Sequence, residues 1–178
     1  PNRIRGVQVT YPNQVWVADL TYIRLGMRFI YLAVILDAYT RGIRGWHLGR
    51  AMNQPLTLAA LQKALVHYPP PLVHHSDQGS QYAAGDYLAC LEDACIVISM
   101  SEAGQPTQTG LVERFIRTLK EEHVAYADYH DFDDALTQIA HWLEVEYMTE
   151  RIHSALDYAT PVEFEVNALA DGRKPLLH

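Results

Sequence analysis

"QVWVADLTYIRLGMRFIYLAVILDAYTRGIRGWHLG", Gln14 to Gly49, decides the fold class. β-Branched and aromatic side chains recur through its first part, so Val15 to Ile23 is expected to be a strand, with a turn at Gly26. "FIYLAVILD", Phe29 to Asp37, is apolar on both faces, as a central strand covered from each side must be. Thr40-Arg41-Gly42 then turns the chain into a third strand, "IRGWHLG", Ile43 to Gly49. Three strands with such short connections make an antiparallel meander.

Beyond Gly49 the period changes. Leu58, Leu61, Ala64 and Leu65 recur at helical spacing between Pro55 and His67, with Pro55 suited to a first turn and Pro69 to Pro71 ending the helix. "LVHH" reads as a short strand, Ser80 to Asp93 as a helix and "CIVIS" as another strand. "MSEAGQPTQTG" is turn-rich, and after it Leu111, Val112, Phe115, Ile116 and Leu119 form one apolar helical stripe. Phe132 to Tyr147 is a further amphipathic helix, and a shorter tail follows "RIHSAL". Three strands, then alternating helix and strand, then helices, give an α/β layer with helices on both faces. That order matches a ribonuclease H-like arrangement with a mixed five-stranded sheet.

The composition fits one globular domain: 178 residues, 49% hydrophobic and 20% charged, enough to bury a core. The opening "PNRIRG" lacks an initiator methionine and suggests a piece of a longer protein, without a visible signal peptide. The apolar run Phe29 to Leu36 is far shorter than the ~20 residues a membrane span needs. The cytoplasm is therefore the expected compartment, with no membrane partner. Cys90 and Cys95 have neither a zinc-knuckle nor a redox-pair spacing and are expected to be buried thiols. The net charge of −7 is unevenly spread: residues 1–50 carry +5 and the remainder −12. Residues 121–150 hold nine acids and no Lys or Arg, as a solvated helical face would. Charge alone neither establishes nor excludes a nucleic-acid partner.

Three acids stand out. Asp19 lies mid-strand between Ala18 and Leu20, where it either pairs with an arginine such as Arg24 or Arg44 or serves a site. Asp77 follows the strand in "PPPLVHHSDQGSQY", where an Asx-turn or a helix cap is the structural alternative. Glu113 falls in the first turn of a helix, favoured there by the helix dipole and with Arg117 at i+4 as a ready partner. Converging, the three carboxylates would repel, and divalent cations would relieve that repulsion. Mg²⁺ prefers few carboxylates plus water and phosphate oxygens, and two such ions about 3.5–4 Å apart serve phosphoryl transfer.

Thirty-five residues separate Asp77 from Glu113, the spacing of the D,D(35)E transposases and retroviral integrases. "WVADLTYI", "LAVILDAYTRGIRGW", "HHSDQGSQY", "ISMSEAGQPTQTGLVERFIRTLKEE" and "RIHSALDYATPVEF" resemble the integrase catalytic core of bacterial insertion-sequence transposases of the OrfB type. The resemblance runs from about Trp16 to Phe164. It implies a DNA strand transferase on a ribonuclease H-like fold, with Asp19, Asp77 and Glu113 as catalytic ligands of two Mg²⁺ or Mn²⁺ ions. It also implies DNA partners, namely element ends and target, and a homo-oligomeric synaptic complex. Recognition of the ends is expected to sit in an N-terminal helical segment outside this chain. The domain division expected is a linker remnant over 1–14, the core over 15–165 and a tail over 166–178.

Arg117 and Lys120 follow Glu113 on one helix face and are candidate phosphate contacts, against a plain solvated face. His74 and His75 neighbour Asp77, but adjacent strand residues point to opposite faces, so a shared zinc ion is disfavoured. His75 is kept as a candidate to orient a metal-bound water or a phosphate. Arg151 and His153 match a polar motif of the family and either touch DNA or tie the tail to the core. "GQPTQTG" and Tyr147-Met148 depart from the common family pattern, which bears on loop contacts and subgroup. The competing readings are a ribonuclease H-like nuclease that does not join strands and a non-catalytic DNA-binding or assembly module.

Overall fold

The computed structural model describes residues 2–101 and 110–173. Its sheet has five strands: β1 (Val15–Leu25), β2 (Arg28–Asp37), β3 (Ile43–Gly49), β4 (Val73–Ser76) and β5 (Val97–Met100). They lie in the order β3-β2-β1-β4-β5, so β1 is central. The β1–β2 and β2–β3 pairs are antiparallel, and β4 and β5 join in parallel. The expected meander and mixed sheet are therefore present, and the fold is ribonuclease H-like. Gly26 makes the β1–β2 turn with φ +58°, a conformation that costs glycine little.

The central strands carry apolar side chains on both sides because both faces are covered. Val15, Val17, Val34 and Leu36 face a cluster that includes Val112, Phe115 and Leu119 of α3 (Gly110–Leu119) and Ile139 of α4 (Phe132–His141). Trp16, Ala18, Ala33 and Ile35 face the opposite way, onto α1 (Gln54–His67) and α2 (Gly85–Asp93). Helix α1 lies tight against β3: a Cβ on Gly45 would collide with the Ala60 carbonyl oxygen and the Ala64 methyl. The buried positions of α1 are Leu56, Thr57, Ala60, Leu61 and Ala64, so the expected stripe is shifted and Leu58 and Leu65 lie at its margin.

Other differences have local causes. Helix α2 starts at Gly85, five residues after the expected Ser80. Between them the Gly79 N–H bonds Asp77 Oδ1, while the Gly79 carbonyl accepts from the Tyr82 and Ala83 N–H groups. That single turn does not run on into α2 because Ala84 is extended, φ −73° and ψ 143°, and resets the chain before Gly85. The cysteines are not buried as expected: Cys90 is half-buried and Cys95 is exposed, because Cys95 takes the positive-φ position that ends α2. Helices α3 and α4 continue past their α-helical ends in wider turns, over Lys120–Val124 and Trp142–Glu150. Most of the turn-rich stretch ahead of α3 lies outside the described residues.

Helix α5 (Pro161–Ala170) begins with a Thr160/Glu163 capping box and runs across the expected 165/166 boundary. Buried Arg44 fastens it, donating to both Glu165 oxygens at 2.8 and 2.9 Å. Arg44 also lies 3.7 Å from Asp37, bonds Asn13 and stacks on Tyr68. At the other end, the expected linker remnant packs on the core: Ile4 and Val9 join one apolar cluster, and Arg3 N–H bonds Ser99.

Candidate active site

Strand alternation decides which polar groups can meet. Asp19 shares its sheet face with Val15 and Val17, the side on which α3 lies. β4 runs parallel to β1 with Val17 opposite His75, so Val73, His75 and the following Asp77 fall in the same alternation. Glu113, in the first turn of α3, lines a groove with Asp19, Leu20, Thr21, Ile116, Arg117, Lys120 and Glu121. Three distant stretches of chain thus reach one end of the sheet.

Electrostatics registers the approach. The Asp19 carboxyl is pushed up to about 6, first by desolvation and then by the charges of Asp77 and Glu113, with the Leu20 N–H bond and Lys120 opposing. The arginine alternatives for Asp19 do not hold. Arg44 serves Glu165 and Asp37, and Arg24 donates to the Gly26 carbonyl. Asp77 does form the Asx-turn that its sequence allowed, through Gly79. Each aspartate commits Oδ1 to a backbone N–H, Asp19 to Leu20 at 2.7 Å and Asp77 to Gly79 at 2.9 Å, which leaves Oδ2 for other use.

Do these residues fit a divalent cation? Among the described residues no three His, Cys, Asp or Glu side chains close into a ready ligand cluster. The donor set is nevertheless of the hard carboxylate kind that Mg²⁺ or Mn²⁺ takes. A second sign is the Tyr82 hydroxyl, which is buried without a hydrogen-bond partner. The charges of Asp19 and Asp77 reach it and, after burial, help to raise its pKa. A hydroxyl oxygen without a partner beside two repelling acids has lone pairs to offer a cation or its bound water, which fits a site that takes a counter-ion. Gly79 gives a third: a Cβ there would come within 2.9 Å of Asp77 Oδ1.

The other candidates divide. Arg117 and Lys120 line the groove beside Glu113, and Lys120 Nζ stands 4.6 Å from the centre of the exposed Tyr22 ring. His75 is fully buried, with Nδ1 2.9 Å from Ser99 Oγ, so it offers no surface to a phosphate and that expectation is corrected. His74 faces the other way and bonds Tyr87 at 2.9 Å. Arg151 grips Glu122 through two 2.7 Å bonds, and its NH1 lies 3.3 Å from His153 Nδ1. Both line a separate cavity on the other side of α3. Sequence reasoning missed Tyr22 and Tyr82. Tyr82 stands in the quoted "HHSDQGSQY", but only its packing shows that the hydroxyl is stranded.

Fold and groove together define an integrase-type catalytic core, and the chain belongs to the integrase core domain family, which matches residues 9–106. A second integrase core domain description matches residues 94–161. The chain is 37% identical over 168 residues to the transposase for insertion sequence element IS904 of Lactococcus lactis, covering 93% of this chain and 66% of that protein. It is 33% identical over 161 residues to transposase InsF for insertion sequence IS3A of Escherichia coli, covering 89% and 56%. It thus spans less than two thirds of these relatives' length. Among solved structures, the HTLV-2 integrase catalytic core domain in complex with magnesium superposes with TM-score 0.69 at 17% identity, covering 89% of this chain and 99% of that one. A chain of a simian T-cell lymphotropic virus intasome gives TM-score 0.75 at 19% identity, covering 97% and 58%. At such identities these two establish the shared fold.

Proposed function

We propose that this chain is the catalytic domain of an insertion-sequence transposase that cleaves and joins DNA strands, with Asp19, Asp77 and Glu113 holding two divalent ions. The observation that supports the reading is that Asp19 and Glu113 line one groove, with the charges of Asp77 and Glu113 adding to the burial that raises the Asp19 pKa. Mg²⁺ or Mn²⁺ bound there would supply an activated oxygen nucleophile and stabilise the leaving oxygen in phosphoryl transfer. The protein's own part is placement. β1 holds Asp19 in a partly dry position, Gly79 fixes one Asp77 oxygen, and α3 presents Glu113 above the sheet end. Arg117 and Lys120 hold DNA phosphates along the same groove, and the Tyr22 ring supports the Lys120 ammonium.

The IS904 and InsF relatives, both named transposases, favour strand transfer over hydrolysis alone. The intasome likeness supports assembly of several copies around the DNA, as holding two ends requires. The test is a strand-transfer assay with Mg²⁺ or Mn²⁺ and pre-cleaved duplex ends taken from DNA flanking the coding sequence. Joined products that disappear in Asp77→Asn are expected. Hydrolysis without joining would point to a nuclease, and binding without either activity to an assembly module.

A further inference from the structure

Helix α3 separates two surfaces. Glu113, Arg117 and Lys120 look onto the acidic groove, whereas Arg114 and Thr118 turn to the other side. There a cavity of about 660 Å³ is lined by Arg41, Arg114, Tyr147, Arg151, His153 and Tyr158. Its cations come from three separate places: the β2–β3 turn, α3 and the segment after α4. Arg41 is held in a positive-φ turn, φ 63°, with its carbonyl accepting the Tyr147 hydroxyl at 3.0 Å.

The lining is rich in donors and short of acceptors. Among the described residues neither Arg41 nor Arg114 has an ion-pair partner. Burial lowers the Arg41 pKa, with the Arg114 charge adding to it and the Tyr147 and Asp37 charges opposing. Glu122 is consumed by Arg151. An arginine can only donate, so the Arg151 contact makes His153 Nδ1 the acceptor and leaves the proton of the neutral ring on Nε2. That Nε2 is buried with no partner. In a chain of net charge −7, a half-buried Arg41 and an exposed Arg114 without ion-pair partners among the described residues, with the buried His153 N–H, give one cavity the donors that an oxyanion with several acceptors would use.

We infer that this cavity is a second phosphate-binding subsite, holding a backbone phosphodiester of DNA on the side of α3 away from the acids. The inference rests on reading the chain as a DNA-acting domain. Forked donors from three directions suit a tetrahedral, multiply accepting group better than a single planar carboxylate. A duplex bound on both sides of α3 would be held in orientation as well as in place.

The test is binding of a short random-sequence duplex, in EDTA, followed by fluorescence anisotropy across a salt series. Combined Arg41→Gln and Arg114→Gln should weaken binding several-fold at moderate salt. It should also flatten the log–log salt slope by about 0.9, the contribution of the one phosphate no longer neutralised. Arg50→Gln, at a guanidinium stacked on the Phe132 ring, should change neither. If Arg41→Gln fails to fold, Arg114→Gln, whose side chain is exposed on α3 and not needed for folding, should still flatten the slope, by up to about 0.9. The His153 imidazole, at about 4 under burial and the Arg151 and Arg41 charges against Glu122, should rise when duplex binds. An unchanged slope in the variants overturns the inference. So does inorganic pyrophosphate shifting His153 while duplex does not, which would make the cavity a free-phosphate site. Joining with an unchanged slope would sink only this subsite, whereas a flattened slope without joining would sink only the transposase reading.

Discussion

Replacing Asp19 by Asn should make the metal-free protein more stable at neutral pH while abolishing its response to Mg²⁺. The Asp19 carboxyl rises from 3.8 to about 6 on folding, because folding takes it from water and sets it beside Asp77 and Glu113. The folded state therefore binds this proton more tightly than the unfolded state. The associated stability is complete below pH 3.8, and it is lost as pH rises through about 6. Carrying the charge at pH 7.5 costs roughly 2–3 kcal/mol, the larger figure being the full conversion of that rise and the smaller one discounting its partial exposure. Asn keeps the oxygen that accepts the Leu20 N–H but carries no charge. In EDTA, urea denaturation should show Asp19→Asn more stable than the parent at pH 7.5, with the advantage shrinking towards pH 4. Excess Mg²⁺ should stabilise only the parent, by the logarithm of its saturation. A variant less stable than the parent at pH 7.5, or equally stabilised by Mg²⁺, would refute the reasoning, since the carboxylate would then already be compensated.

Two further outcomes follow from the packing. Tyr82→Phe removes a buried hydroxyl without a partner, so metal-free stability should hold or rise by about 1 kcal/mol. The melting-temperature gain produced by Mg²⁺ should meanwhile shrink, and an undiminished gain would show that the hydroxyl does not serve the acids. Arg44→Met strands Glu165 and weakens the attachment of α5, at a cost of about 3–5 kcal/mol in chemical denaturation. Adding Glu165→Leu should recover part of that loss, and a single-variant cost under about 1 kcal/mol would mean that the pair is not holding the helix.

The reach of the sequence differs between the sheet and the site. Strand period and turn residues are local properties, so Val15 to Gly49 reads as a meander with ends within two residues of those observed. Helix α2 starts later than its sequence suggests because the turn after Asp77 and Gly79 ends at an extended Ala84, while Tyr82 between them is buried in the core. Cys95 escapes burial because it takes the positive-φ position just past the end of α2, whatever its side-chain type.

For the site, the sequence by itself nominated the acids: their spacing and the words around them single out Asp19, Asp77 and Glu113 as candidates before any coordinates. Tertiary structure alone decided which neighbours each one has. It removed Arg24 and Arg44 as partners of Asp19, enclosed His75, stranded the Tyr82 hydroxyl, and put Arg114 and Arg151 around a cavity apart from the acids. The physical reason is range. Helix and strand periods act over a few residues and can be read along the chain, whereas desolvation and charge act through space between stretches that only the closed sheet brings together.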